Sequence, residues 1–323
     1  YFKTISKLDE ENERTLKSTI DVYRKLGAIL TFDCTPFFEN NVPRFGEICS
    51  FSASGGAVYV NSVLGARTNR EAAQSAMCAA ITGVTPEYGL LLEQNRAGDV
   101  LIQVEADVDS EYDYELLGYI TPKKMGQAYH CPVFNGLSKQ TTSEQLMDLG
   151  TQLNIHGIVP MFHVVGVTPE AADVHTAFLG RKDPPVVTIT NEDLAQARAE
   201  ISAGTGKADF CILGCPHLTI NQVGSIAKML DGQQLAGQLY IFTSTSTKEL
   251  AQRMGYLDII HKAGGEIVIN SCVDQPCWSH LYGMSGVTES PKCAYYTKRW
   301  NMTFTVKSIP ACIQSVLKGE IVS

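Results

Sequence analysis

Thr31-Phe-Asp-Cys-Thr-Pro-Phe-Phe38 decides how this chain is read, because it closes the apolar run 28–32 on a cysteine. Upstream, residues 9–25 set Leu16, Ile20, Val22 and Tyr23 roughly on one helical face, with Leu26 beyond, and Gly27 follows as a C-terminal stop. A helix, a stop and a buried strand that delivers Cys34 is the predicted unit. The same rhythm returns downstream. Helix 143–153 precedes strand 157–165, helix 191–202 precedes strand 208–213, helix 221–230 precedes strand 238–242, and helix 248–254 precedes strand 266–269. Helices alternating with short β-branched runs predict an α/β fold of largely parallel sheets covered by helices on both faces. In such sheets reactive groups collect beyond the carboxyl ends of the strands. Cys34, Cys215 and Cys272 each follow a predicted strand. The stretch 97–134 reads differently, as a small β-rich insertion with strands at 100–108 and 114–119. A division near residues 138–143 separates a first α/β region, 1–140, from a second, 141–323.

Composition narrows the classes of function. A chain of 323 residues with 44% hydrophobic content supplies a sizeable core. The net charge of −8 and scattered Lys and Arg argue against a surface that tracks nucleic-acid phosphates, so a small molecule is the better partner. No apolar run reaches the roughly 18–20 residues needed to cross a bilayer. The start, Tyr1-Phe-Lys-Thr-Ile5, lacks a secretory pattern, and a cytoplasmic location is expected. Ten irregularly spaced cysteines fit a reducing compartment, most as small buried hydrophobes. With 19% charged residues, the chain lacks the ion-pair-rich composition of a hyperthermophile.

Three thiolates from distant loops can hold a metal and leave one position open for substrate. Iron fits that arrangement. Zinc through Cys215, His217 and Cys272 stays open, although the local spacing matches no compact zinc module. Cys-x-x-Cys is absent, and Cys272-Val-Asp-Gln-Pro-Cys277 is a looser pair in which Cys277 reads as structural.

The blocks around these residues resemble the large subunit of aconitase X. They are the Cys34 segment, Asn61-Ser-Val-Leu-Gly-Ala-Arg-Thr-Asn-Arg70, Gly89-Leu-Leu-Leu-Glu-Gln-Asn-Arg96, Ile212-Leu-Gly-Cys-Pro-His217, Asn270-Ser-Cys272 and Ser290-Pro-Lys292, in that order. The resemblance implies an aconitase-like fold and a hydro-lyase that removes water from a small β-hydroxy acid. It implies Cys34, Cys215 and Cys272 as ligands of iron or an iron-sulfur cluster of unspecified nuclearity, acting as Lewis acid. It points to Ser290 as the base with Lys292 as helper, since a serine alcohol needs nearby cations to favour its alkoxide. Arg67, with Asn61 and Ser62, is expected to take the substrate carboxylate in the fork of its guanidinium. His217 is a secondary substrate contact.

Gly55-Gly56 stands where the family often reads Glu-Ser. Glycines there allow close approach of substrate to the backbone, as an anion nest or a tight turn. The substrates the resemblance offers are cis-3-hydroxy-L-proline, which the low charged fraction favours, and mevalonate 5-phosphate, whose phosphate would need cations such as Lys123-Lys124 or Lys298-Arg299. The family also carries a segment ahead of residue 9, explained here by truncation or a naturally short subunit. It works with a small swivelling domain or subunit not found in these residues, so a second subunit is implied. The rival from another class is a non-catalytic aconitase-fold subunit that binds ligands or senses redox state.

Overall fold

A computed structural model describes residues 9–126, 128–275 and 277–322. The opening Tyr1-Phe-Lys-Thr-Ile5 and Pro276 of the Cys272 to Cys277 loop lie outside the described residues. Among the described residues no helix is long and apolar enough to cross a membrane. The chain divides into two compact units: residues 36–200, and residues 9–35 together with 201–322. That division differs from a boundary near 140. Helix Ser143–Gly157 packs against helices Ser54–Ser62 and Glu111–Met125 of the earlier segment, which keeps both sides of residue 140 in one unit.

The unit 36–200 holds four parallel strands, β1 Val100–Val104, β2 Pro132–Asn135, β3 His163–Val164 and β4 Val186–Ile189, in the order β3-β2-β1-β4. The stretch expected to be β-rich is a β-α-β crossover. Ser110 and Asp113 form a capping box that starts helix Glu111–Met125. Tyr112, Leu116, Leu117 and Ile120 then recur at helical spacing and are buried, so 114–119 forms helix and not strand. Strand 157–165 shrinks to β3 because Gly157 still belongs to the preceding helix and Ile158 caps it in a left-handed conformation.

The other unit carries five parallel strands, β5 Phe210–Leu218, β6 Gln238–Thr243, β7 Gly265–Val268, β8 Ser285–Thr288 and β9 Thr303–Val306. Their order is β7-β6-β5-β8-β9. The chain winds outward from β5 to β7, then returns to the other side of β5 for β8 and β9. This reversal creates a crevice at the carboxyl ends of β5 and β8, the place where doubly wound sheets bind ligands. Strand β5 is buried along its whole length because both faces are covered. Cys211 and Leu213 face the apolar sides of helices Ile220–Leu230 and Ile309–Lys318, through Val223, Ile226, Ile313 and Val316. Phe210 and Ile212 point the other way, into Tyr240, Phe242, Trp278, Leu281 and Met302. Each fully buried aliphatic side chain contributes roughly 1.5–3 kcal/mol, so this alternation fixes which way β5 faces.

Helix Glu10–Lys25 forms where expected, with the Asp9 side chain capping its start. The expected strand at 28–32 is absent. Phe32 adopts φ +48°, which turns the chain out of an extended path just before Asp33 and Cys34.

Candidate active site at the switch point of the five-stranded sheet

Three chain segments meet the carboxyl ends of this sheet, and each bends at a left-handed residue. Gly214 (φ +104°) precedes Cys215 within β5, Asn270 (φ +56°) precedes Cys272 beyond β7, and Phe32 precedes Cys34. At Gly214 a Cβ would lie 2.2 Å from the Phe242 carbonyl oxygen, so only glycine fits beside β6. Asparagine tolerates the left-handed region; phenylalanine in it costs on the order of 1 kcal/mol or more. Surrounding contacts must hold Phe32 there.

Those contacts are polar. Asp33 accepts hydrogen bonds from the Thr35 amide (2.9 Å) and hydroxyl (3.0 Å). The His217 amide donates to Cys34 Sγ at 3.2 Å. Its ring lies between Asp33 Oδ1, 3.0 Å from Nδ1, and the Ser271 carbonyl oxygen, 3.2 Å from Nε2. Both ring nitrogens therefore face groups that only accept, the arrangement that holds a doubly protonated imidazolium. Burial opposes that charge, but the Cys34 sulfur and the Asp33 carboxylate outweigh it and keep His217 protonated well above its ordinary range.

The thiols respond to the same field. Burial pushes Cys34 up; His217 first and Lys292 after it reverse this, leaving the thiol lowered. For Cys215 the hydrogen bond with Cys293 is the leading influence and lowers it, with help from Lys292 against burial and the Cys34 sulfur. Cys272 moves oppositely. Burial of its sulfur, then the charges of Cys215 and Cys34, raise it to about 12, although the residue's outer face is exposed. Burial disfavours the Lys292 ammonium, and Cys215, Cys34 and Cys272 more than restore it. The three sulfurs and this ammonium thus lie within electrostatic reach of one another.

Ser290 caps helix Pro291–Thr297, with proline at its first position. Its Oγ donates to the Cys215 carbonyl oxygen at 2.5 Å and accepts from the Cys293 amide at 3.4 Å, and the residue is buried. Glu289 was not anticipated from the sequence. One carboxylate oxygen accepts from the Gly214 amide (2.7 Å) and the Cys215 amide (3.3 Å), binding the end of β5 to the loop after β8. Asp33 was also missed, although it sits beside Cys34; its Oδ2 is buried without a hydrogen-bond partner. Asp33, Cys34 and His217 bring one ligand atom each within 4.8 Å, a set that could hold a metal. Ligation by His217 would cost one of its two ring hydrogen bonds, so the thiols are the better donors.

The remaining expected site residues fall in the unit 36–200, where their polar groups are used internally. Asn61, fully buried, donates to the Thr68 and Pro160 carbonyls and accepts from the Thr68 amide and Arg96. Ser62 Oγ accepts from the Phe162 amide at 2.9 Å. Arg67 donates to the Leu91 carbonyl at 3.0 Å and pairs with Glu93, so this guanidinium is already engaged by protein oxygens. Arg96 is the true centre of that region. It meets both Glu170 carboxylate oxygens at 3.0 Å and also donates to Leu90 and Asn61. Gly55 and Gly56 form the first turn of helix Ser54–Ser62 and make no tight turn. A Cβ on Gly55 would meet Thr151 Oγ1 at 2.7 Å, so packing demands glycine there.

Comparison with known proteins gives this arrangement a family. Models of the aconitase X first, second and third domains match residues 4–94, 98–199 and 208–318. The phosphomevalonate dehydratase large subunit of Thermococcus kodakarensis is 34% identical over 309 residues, 95% of this chain and 78% of that one. That of Methanothermobacter thermautotrophicus is 36% identical over 288 residues, 89% of this chain and 70% of its own. The cis-3-hydroxy-L-proline dehydratase of Pseudomonas aeruginosa is 34% identical over 264 residues, 79% of this chain but 45% of its own length. A crystal structure of Thermococcus kodakaraensis aconitase X in its holo-form superposes with a TM-score of 0.86 at 32% identity, covering 96% of this chain and 79% of that one. A parallel α/β scaffold and three matched domains across nearly the whole length make this chain a member of the aconitase X family of dehydratases, and hence a hydro-lyase.

Proposed function

We propose that this chain dehydrates a small β-hydroxy acid at the carboxyl ends of β5 and β8, with mevalonate 5-phosphate as the first candidate substrate. The observation that carries the site is the convergence of the Cys34, Cys215 and Cys272 segments on His217, two residues beyond Cys215, whose amide meets Cys34 Sγ and whose Nε2 meets the Ser271 carbonyl oxygen, each at 3.2 Å. The donor set fits iron: two thiols already inclined toward thiolate, a third beside them, and two cations to offset their charge. Cys34, Cys215 and Cys272 would hold it. Such a centre with an open position supplies Lewis acidity that stabilises departing hydroxide.

The protein's own groups do the rest. Ser290 is the proposed base for the proton beside the substrate carboxylate. Its hydroxyl, now hydrogen-bonded to the Cys215 carbonyl oxygen at 2.5 Å, would first pass its proton to solvent, and the Cys293 amide, 3.4 Å from Oγ, would then donate to the alkoxide. Phosphomevalonate dehydratase large subunits match 95% and 89% of this chain at 34% and 36% identity, against 79% at 34% for the Pseudomonas enzyme, which supports mevalonate 5-phosphate over cis-3-hydroxy-L-proline. The low charged fraction bears on growth temperature and leaves the choice of substrate to the relatives. The "large subunit" in their names supports a small-subunit partner that closes over the reaction and excludes water.

The test is anaerobic purification with and without a co-expressed small subunit, iron and sulfide analysis, and a screen of both substrates. Ser290→Ala should keep its iron and lose most turnover and most exchange of the α-proton with deuterated solvent. Cys272→Ala should weaken iron binding and lose turnover together. Exchange at the parent rate in Ser290→Ala would reassign the base.

A further inference from the structure

We infer that His217 is a positioning residue that clasps together the three segments carrying Cys34, Cys215 and Cys272. The geometry is complete in three hydrogen bonds. His217 lies two residues beyond Cys215 on β5, so its own backbone belongs to the second segment. Its amide and Nδ1 reach Cys34 Sγ and Asp33 Oδ1 of the first, at 3.2 and 3.0 Å. Its Nε2 reaches the Ser271 carbonyl of the third, at 3.2 Å. Ser290 and Glu289 meet only the second segment.

The need for a clasp follows from the backbone. The first and third segments are irregular, and each starts from a non-glycine residue held left-handed, Phe32 and Asn270. Such residues persist only where surrounding contacts over-determine them. The 3% exposure of His217 keeps water from competing for its hydrogen bonds. With both ring nitrogens used, His217 has none left for a substrate, so its work is to set the spacing of the sulfurs. This rests on reading the three cysteines as one metal-binding set, and the test separates the two ideas.

Hydrogen exchange read by mass spectrometry on metal-free protein addresses the clasp without iron or turnover. His217→Phe should speed exchange in both 31–36 and 270–275 by about tenfold or more, the order expected when a buried hydrogen bond to a charged group is lost. Asp33→Ala removes the first arm together with the acceptor of the Thr35 amide, so it should speed 31–36 at amides besides Thr35 and leave 270–275 at the parent rate. His217→Gln keeps one amide donor and should protect one of the two loops. Anaerobic iron loading supplies the second readout. His217→Phe should bind less iron per chain and show an altered iron–thiolate absorption band, with partial return in His217→Gln. Parent exchange in both loops of folded His217→Phe would overturn the clasp. If His217→Phe does not fold, Asp33→Ala decides: parent exchange in 31–36 at amides besides Thr35 overturns it equally. A clasp seen by exchange in protein that binds no iron would leave His217 in place and remove the reading of the cysteines.

Discussion

Replacing Glu289 with alanine and with glutamine measures how firmly the end of β5 is tied to the loop after β8. The carboxylate takes the Gly214 and Cys215 amides at 2.7 and 3.3 Å, and its second oxygen takes the Thr288 hydroxyl at 3.3 Å. Alanine leaves two buried N–H groups without acceptors at about 1–3 kcal/mol each, so a loss of about 3 kcal/mol is expected. With a urea slope of about 2 kcal/mol per molar, the midpoint falls by about 1.5 M. Glutamine keeps the amide acceptor and should be far milder. The two also separate by pH. Burial raises Glu289 above its ordinary value despite its hydrogen bonds. The folded state then binds this proton more tightly than the unfolded one. Its contribution is fully present at low pH and declines as pH climbs from the unfolded value toward the raised folded value. Glutamine, which cannot ionise, should therefore gain on the parent as pH rises above 4.5, read at one acidic and one neutral pH. Both tryptophans, Trp278 and Trp300, belong to this unit, so their fluorescence during urea unfolding of metal-free protein reports it directly. An alanine variant as stable as the glutamine variant at both pH values would refute the tie.

Three further outcomes are expected. Lys292→Met removes the ammonium that lowers Cys34 and Cys215, so alkylation of Cys34 in metal-free protein at pH 7.5, followed by peptide mass spectrometry, should slow several-fold. Cys272, raised to about 12, must give up its proton to bind a metal; loading in weak buffer should release about one proton that Cys272→Ser does not, and affinity should rise with pH. Arg96→Lys breaks the bidentate pair with Glu170 and the bonds to Asn61 and Leu90, and at 2% exposure should cost about 3–5 kcal/mol, measured as faster hydrogen exchange across residues 61–70 and 89–96.

The sequence showed the alternation of helix and strand because apolar runs such as Phe210 to Leu213 are legible wherever both faces of a strand are covered. It placed Cys272 beyond a strand for the same reason, whereas Cys215 lies within β5, which runs on past the expected end at 213 to Leu218. It misjudged 114–119 because four aromatic or aliphatic residues in a short window satisfy either period, and only the Ser110 to Asp113 capping box distinguishes them. It misjudged 28–32 because nothing in a phenylalanine announces a left-handed backbone. Asp33 and Glu289 were invisible as functional residues, since each is an ordinary acidic neighbour until long-range packing supplies its partner: His217, 184 positions from Asp33, and Gly214, 75 from Glu289. The Asn61 and Gly89 blocks were legible as a pair without their reason. Hydrogen bonds from Arg67 to Leu91, Asn69 to Tyr88 and Arg96 to Asn61 join them into one assembly.

Charge balance explains how the switch point can be folded and still seek a cation. The directions of the shifts favour negative charge on Asp33, Cys34 and Cys215 and positive charge on His217 and Lys292. These directions leave the site inclined toward negative charge. Glu289 and Cys272 are pushed toward their neutral forms, which keeps that charge from growing in a site largely withdrawn from water. A metal ion held by the three cysteines would offset that charge and take the place of the Cys272 proton. The two thiols already inclined to bind sit on the segments His217 joins directly, and the reluctant third lies where its ring reaches the Ser271 carbonyl. A centre assembled in that order would take its metal first between Cys34 and Cys215 and close on Cys272 last, so Cys272→Ser should retain weak metal binding that Cys215→Ser abolishes.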